Sequence, residues 1–173
     1  NVDGDDNVAI GSNALRYFEP SNGSSYNTAV GSQAGINVTT GTQNTLIGGL
    51  AGDAITTGEA NVAVGYLALS DTTTGGDNTA VGELALSNNT TAVRNTALGS
   101  STLFTNTTGA DNVAIGTASL YANTTASYNT AVGKSALTAN TTGASNVAVG
   151  VEALQANTTA SGNTALGYQA GYT

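Results

Sequence analysis

The side chains that could perform catalysis in this sequence are few and widely separated. The chain has 173 residues, of which 11 are Asp or Glu and 3 are Lys or Arg, and it contains no His and no Cys. A Ser-His or Cys-His nucleophile pair therefore cannot form. The acidic residues occur singly at scattered positions: Asp53, Glu59, Asp71, Asp77, Glu83, Asp111 and Glu152. We expect these to be surface charges, and the chain not to be an enzyme or to carry a cofactor.

One short stretch has a composition suited to a metal ion. Asp3, Asp5 and Asp6 surround Gly4, which is loosely similar to the start of a calcium loop. Such a loop needs a bidentate Glu at its twelfth position, and counting from Asp3 that position is Ala14. We therefore expect a solvated acidic segment and no metal site.

The charge balance restricts the partners of the chain. The formal net charge is −8, and the basic residues Arg16, Arg94 and Lys134 are far apart in the sequence. Nucleic acids and anionic membranes require clustered Lys and Arg, so neither is an expected partner. No apolar run approaches the roughly 20 residues of a transmembrane helix. The apolar fraction of 39% is regularly spaced, which argues against disorder.

A short motif repeats along the whole chain. Asn is followed by Thr or Val, a small apolar residue, an aliphatic residue and Gly. The motif begins at ten asparagines: Asn7, Asn27, Asn44, Asn61, Asn78, Asn95, Asn112, Asn129, Asn146 and Asn163. The first interval is 20 residues and the others are 17. Residues 1–173 therefore form one repeat array, which we expect to belong to a longer chain. Positions 1 to 17 are counted below from this Asn, whose number also names each coil.

The repeat is too short for a helical pair and favours strands. Positions 1 to 5 alternate like a strand, with positions 2 and 4 on one face and positions 1, 3 and 5 on the other. Stacked 17-residue coils would form an all-β parallel β-solenoid, or β-roll. Aligned position 1 asparagines would bond one another in an amide ladder. We expect positions 4 and 9 to form the aliphatic core: Val64, Val81, Leu98, Ile115, Val132, Val149, Leu86, Leu103, Leu120, Leu137 and Leu154.

The face made of Asn, Ala and Gly has two interpretations. Position 3 is Ala in nine of the ten coils, with Leu46 as the exception. These small side chains could pack inside a very thin solenoid. They could instead form a flat surface where identical chains meet, which would give a compact homotrimeric fibre.

Two further features suggest recognition or modification. The longer first interval contains Arg16, Tyr17, Phe18 and Tyr26, which form either a protruding recognition loop or a cover over the core. Asn-x-Thr patterns mark candidate glycosylation sites: Asn37, Asn88, Asn89, Asn106, Asn123, Asn140 and Asn157. The same Asn-Thr pairs also suit turns, so a purely structural role is the alternative.

The motif resembles a known group of surface proteins. The segments NVAIG at 7–11 and 112–116 and NVAVG at 61–65 resemble the head repeats of trimeric autotransporter adhesins, and the full unit resembles phage tail-fibre repeats. The resemblance covers residues 7 to 173 and implies a left-handed β-roll in a homotrimeric, extracellular fibre on a cell surface or virion. The period here is longer than in those heads.

Three functional hypotheses follow. The first is a structural fibre segment whose only partner is another copy of the chain. The second is an adhesin head that binds a host or matrix ligand, either a surface glycan or a protein, through its lateral surface. The third is a monomeric ice-binding-type solenoid, because threonine pairs recur in every complete 17-residue coil. Adjacent threonines point to opposite faces and these pairs fall in a turn, so structural threonine ladders are the alternative.

Overall fold

The fold is a single stack of short parallel strands. A computed structural model describes residues 6–19 and 25–172. It contains ten three-residue strands: β1 (Val8–Ile10), β2 (Thr28–Val30), β3 (Thr45–Ile47), β4 (Val62–Val64), β5 (Thr79–Val81), β6 (Thr96–Leu98), β7 (Val113–Ile115), β8 (Thr130–Val132), β9 (Val147–Val149) and β10 (Thr164–Leu166). The strands form one ten-stranded sheet in sequence order. The predicted all-β solenoid with 17-residue coils is confirmed.

Adjacent coils stack in strict register. Each strand pairs in parallel with the next, so that Thr79 lies opposite Thr96 and Val81 lies opposite Leu98. The hydrogen bonds extend beyond the strands, since the amide of Val8 donates to the Asn27 carbonyl at 2.8 Å. Because every coil places the same backbone groups at the same height, each coil satisfies the polar groups of its neighbour.

The interior is a narrow column lined by positions 1, 3, 8, 9 and 12 of each coil. Position 3 is buried in every coil from Asn27 onward. Position 9 supplies most of the buried apolar volume, as predicted: Leu69, Leu86, Leu103, Leu120 and Leu137 are fully buried and Leu154 nearly so. Small Ala side chains at positions 3 and 8 let the opposite walls of the coil approach closely.

The prediction for position 4 is wrong. Leu98 is 46% exposed, and the other position 4 aliphatics that were expected in the core are only partly covered: Val64, Val81, Ile115, Val132 and Val149. The alternation of the strand identifies two faces, and the coil bends toward the face of position 3. The Asn and Ala side chains of the small face therefore lie inside the solenoid in coils 27 to 146, while the position 5 glycines are partly exposed. A trimer that joins through that face is excluded by its burial.

The backbone conformation is unusual at several points of each coil. Gly at position 5 has a positive φ, 139° at Gly65, and a Cβ there would collide with the backbone of the next coil. Non-glycine residues at positions 7, 9 and 17 also adopt the left-handed region, as at Leu84 (φ 58°), Leu86 (φ 51°) and Arg94 (φ 56°). Such conformations cost free energy for residues with a Cβ, and the repeated stacking contacts hold them.

Candidate functional site

The first functional element is the buried asparagine ladder at position 1. The backbone amide of Asn44 donates to Asn27 Oδ1 at 2.9 Å, and Asn44 Nδ2 donates to the same oxygen at 3.2 Å. Asn44 Nδ2 also donates to the carbonyl of Gly58, which belongs to its own coil, at 2.9 Å. Each asparagine thus closes its own coil and links it to the preceding one. The pattern runs from Asn7, whose Oδ1 accepts the amide of Asn27, to Asn163.

A second asparagine ladder runs along position 12. Asn123 Nδ2 donates to Asn106 Oδ1 at 2.8 Å, and Asn140 Nδ2 donates to Asn123 Oδ1 at 3.2 Å. The same Nδ2 of Asn123 also donates to the carbonyl of Ala126, which accepts the position 1 side chain Asn112 as well. Both ladders therefore share the position 15 carbonyl as an anchor. Asn89 begins this ladder, and its Nδ2 donates to the hydroxyl of Thr72.

The second ladder removes most candidate glycosylation sites. Four of them are fully buried with their amide nitrogens hydrogen-bonded: Asn89, Asn106, Asn123 and Asn140. A sugar attached to Nδ2 would break the ladder hydrogen bonds and would have to enter the core. These four asparagines therefore have the structural role that was the alternative to glycosylation. Asn157, at the ladder's end, also bonds the preceding Asn140. Asn37 is exposed and bonds the Asp53 carbonyl, while Asn88 is partly exposed.

The threonine pairs divide into two columns with different roles. At position 13, Thr107 Oγ1 donates to the Thr124 carbonyl at 3.1 Å, and the same bond links each coil to the next from Thr39 to Thr158. At position 14 the threonines are exposed, as at Thr108. The pairs therefore fasten the coils on one side and present a hydroxyl on the other. They lie outside the sheet, in the turn that the sequence predicts, whereas an ice-binding face uses threonines aligned on a flat strand.

The outward face of the sheet forms a continuous surface of aliphatic and threonine side chains. We define the strip as positions 2 and 4 of all ten coils, from Val8 and Ile10 to Thr164 and Leu166. Every side chain on it is Thr, Val, Ile or Leu, and none is charged. Apart from Val151, which follows directly after its edge, all the strongly exposed aliphatic residues of the described part lie on this strip.

One flank of the strip, at position 17, holds the charged residues Asp77, Arg94 and Asp111. Arg94 pairs with Asp111 through two hydrogen bonds, 2.7 Å from Nε to Oδ1 and 3.0 Å from Nη2 to Oδ2. The Arg94 hydrogen bond lowers the pKa of Asp111, and the same bond raises the pKa of Arg94. Asp77 and Tyr128 occupy the same column one coil beyond each end of the pair. The pair links coils 78 and 95 at the surface.

Two buried polar atoms have no hydrogen-bond partner in the described part of the chain. One is Oδ1 of Asp53 and the other is Oγ of Ser119. Burial is the main cause that raises the pKa of Asp53, and the nearby charge of Asp71 raises it further, while a backbone hydrogen bond acts in the opposite direction. Neither atom belongs to a constellation that could catalyse a reaction.

The candidate recognition loop is partly a core element. Phe18 occupies position 12 and packs against the core, which supports its interpretation as a cover. Arg16 and Tyr17 are exposed and in contact, with the guanidinium carbon 5.2 Å from the ring centroid. Tyr26 is also exposed. Residues 20–24 of this loop lie outside the described residues, as do Asp3 and Asp5 of the acidic stretch.

The remaining aromatic residues do not form a binding platform. Phe104 and Tyr121 stack on one another in adjacent coils, with centroids 5.2 Å apart and an interplanar angle of 11°. The face that each ring turns toward the other is therefore covered by that partner. Tyr66 and Tyr168 are exposed at position 6, several coils apart.

Residues 6–19 and 25–172 contain neither a candidate membrane-spanning helix nor a candidate metal site. This part contains no helix long and apolar enough to cross a membrane, and it contains no group of three metal-ligating side chains. Comparison with protein-family models, curated proteins and solved structures found no match to the chain. Functional inference therefore rests on the geometry of the ladders and of the strip.

Proposed function

We propose that this chain is a structural segment of an extracellular fibre, exposed on a cell surface or virion, that acts as a shaft or spacer and associates with copies of itself. The observation that carries the proposal is the continuity of the two asparagine ladders and the threonine column through successive coils. In such a stack stability is a sum over coil interfaces, so length can vary by whole coils without a change of fold. A spacer requires this property.

The composition is consistent with a mechanical role. The buried polar side chains are largely committed to bonds between or within coils, and the chain has no His or Cys for chemistry. Ten coils at about 4.8 Å give a rod about 48 Å long. The low content of charged residues leaves few specific contacts on the lateral surface.

A second candidate is an adhesin head whose lateral surface binds a glycan or protein. The observation that favours it is the set of exposed tyrosines, of which Tyr128 is 65% exposed beside the Arg94–Asp111 pair and Tyr66 is 53% exposed. Exposed aromatic and Arg side chains are common anchors of interfaces. These tyrosines are distant from one another, so we place this candidate after the shaft.

Binding measurements on substituted chains separate the two functions. The wild-type chain would be applied to an array of glycans and matrix proteins beside the variants Tyr66→Ser and Tyr128→Ser. A shaft shows no saturable binding, and the variants assemble into rods of unchanged length in electron micrographs. Saturable binding that either substitution abolishes, with rod assembly intact, would favour the adhesin and overturn the shaft.

Duplication of whole coils provides the complementary test. Insertion of a second copy of residues 112–145 adds two coils, which should lengthen the rod by about 10 Å. The longer chain should unfold at a higher urea concentration, because two coil interfaces have been added. A duplicated chain that fails to stack, or that is less stable than the original, would contradict the spacer proposal.

A further inference from the structure

The strip brings most of the exposed aliphatic side chains of the described chain onto one surface. It consists of positions 2 and 4, and its uncovered members include Ile10, Ile47 and Leu98. Ten strands about 4.8 Å apart, with three residues across at about 3.3 Å each, cover on the order of 500 Å². Monomeric proteins rarely expose contiguous apolar patches beyond a few hundred Å².

We propose that the strip is the face through which copies of this chain join, side by side along the rod. This proposal rests on the proposed fibre function and assigns its self-association to a defined surface. Each partner of a standard interface contributes roughly 800 Å², and the strip alone supplies more than half of that area. The earlier alternative, a junction through the Asn, Ala and Gly face, is excluded because its Asn and Ala side chains are inside the solenoid.

The periodicity of the strip identifies a second copy as the partner. Its side chains form two parallel columns with one step for every coil, since Thr79, Thr96 and Val113 follow one another in register at position 2. Close packing along all ten coils requires a partner with the same axial repeat. A second copy has that repeat by construction, whereas a globular protein would match only one or two steps.

Charge also permits the contact between copies. The chain has a net charge of −8, so two copies repel one another wherever acidic residues meet. The strip contains no acidic residue in any coil, and the nearest carboxylates, such as Asp77 and Glu83, lie at positions 17 and 6 beside it. Desolvation of the strip therefore costs no buried charge, and its aliphatic side chains gain from removal from water.

The decisive experiment places a charge on the strip and a matched charge elsewhere in the same coil. Leu98→Lys introduces an ammonium on the strip, and Thr108→Lys introduces one at an exposed position outside the sheet. Sedimentation equilibrium of the wild type should give a multiple of the 16.9 kDa chain mass. We expect Leu98→Lys to reduce the mass to that of a single chain and Thr108→Lys to leave it unchanged, with both circular dichroism spectra preserved.

A labelling experiment covers the case in which Leu98→Lys fails to fold. The chain has no Cys, so single substitutions Val81→Cys and Thr91→Cys report accessibility on the strip and outside it. In the assembled wild-type background, maleimide should modify Val81→Cys several-fold more slowly than Thr91→Cys. Dilution or mild dissociation should remove the difference.

The outcomes distinguish this inference from the fibre proposal. Assembled rods that keep their mass in Leu98→Lys and show equal labelling of both cysteines would place the junction on another face, which overturns the inference and leaves the fibre intact. A wild-type chain that remains a monomer at high micromolar concentration would overturn both. A monomer that lowers the freezing point below the melting point of ice would assign the strip to ice instead.

Discussion

Two regions of this solenoid fill the same interior with different residues. Coils 27 and 44 have Gly35 and Gly52 at position 9, and they place Val38 and Ile55 at position 12. Coils 78 to 146 have Leu at position 9 and Asn at position 12. The backbone register is the same in both regions. The backbone of the coil and the volume of its interior are therefore the same in both regions, and the apolar side chain that fills the interior can come from position 9 or from position 12.

The exchange has a direct steric basis. A Cβ on Gly52 would lie 2.8 Å from Ile55 Cδ1 and 2.8 Å from Leu46 Cδ2. A Cβ on Gly35 would lie 2.6 Å from Leu46 Cδ1. Leu46 is the only non-Ala residue at position 3, and it occupies the space that a position 9 leucine fills in the other coils. We call coils 27 and 44 the glycine coils and coils 61 to 146, which have Leu at position 9, the leucine coils. In the leucine coils the position 9 leucine fills this space, so position 12 can be a polar residue that hydrogen-bonds to the neighbouring coil.

The largest effects are expected where the apolar volume of coil 44 is changed, by removal of Leu46 or by addition of a leucine at Gly52. Gly52→Leu overfills the core and should lower the free energy of unfolding by about 1 to 3 kcal/mol. Leu46→Ala removes the occupant and should cost about 2 to 5 kcal/mol. The double variant should be more stable than Leu46→Ala alone, because the new leucine fills the vacated space. Urea unfolding of the four chains measures this coupling.

A distant leucine provides the control for that coupling. Leu120→Ala creates a comparable cavity in coil 112, four coils away from Gly52. Combination of Gly52→Leu with Leu120→Ala should give additive losses to within about 0.5 kcal/mol. If the combination with Leu46→Ala is equally additive, then the two regions do not exchange volume as proposed.

The second prediction concerns the ladder that only the leucine coils possess. Asn123→Val imitates Val38 in a coil whose position 9 leucine remains, and it leaves Asn106 Oδ1 without its donor. The loss should be about 1 to 3 kcal/mol. Thr72→Val, at the ladder's end, should cost less, because Asn89 Nδ2 keeps its bond to the Ala92 carbonyl. Equal losses in thermal unfolding would indicate that the ladder has no cooperative interior.

The third prediction tests how strictly the leucine coils require a small apolar residue at position 8. Thr102 and Ser119 replace the usual Ala there. Thr102 Oγ1 lies 2.9 Å from the carbonyls of Gly99 and Gly116, so Thr102→Ala should cost about 1 kcal/mol. Ser119→Ala removes a buried hydroxyl without a partner and should be neutral or stabilising by up to about 1 kcal/mol. A reversed order of the two melting temperatures would contradict this account.

The sequence predicted the repeat length, the strand, the position 1 ladder and the role of leucine at position 9. Each of these follows from a residue type that recurs every 17 residues. The inward face could not be predicted, because alternation separates two faces without saying toward which one the chain bends. Left-handed leucines such as Leu86 have no sequence signal either, since most L-residues avoid that region.

The second ladder had a signal that simple motif reading did not use. Considered alone, Asn followed by two Thr residues predicts a turn or a glycosylation site. Asn89 and later members occur only in coils with Leu at position 9, whereas Gly35 and Gly52 accompany Val38 and Ile55. Covariation between two positions of one coil indicates contact in a shared interior, and it would have placed position 12 inside.

The smallest effect is expected from Asp53, an acidic residue of a glycine coil. Burial raises the pKa of Asp53 in the folded chain, so the folded state binds its proton more tightly than the unfolded state. Below the ordinary Asp pKa of about 3.9 both states are protonated and the residue has no effect. As the pH rises from there past the folded pKa, wild-type stability falls. Asp53→Asn should therefore match the wild type near pH 3 and exceed it in melting temperature at pH 7.

Asp111 supplies a control of opposite sign from the leucine region. Its hydrogen bond to Arg94 lowers its pKa, so its charge stabilises the folded chain above the ordinary Asp pKa and that contribution is lost as the pH falls. Asp111→Asn should thus lower the melting temperature slightly at pH 7 and not at acidic pH, and high salt should reduce the difference because the pair is exposed. The two variants should diverge in opposite directions as the pH rises. If the melting temperatures of the two variants changed in the same direction with pH, burial would not be the property that sets the effect of Asp53 apart from that of Asp111 at the surface.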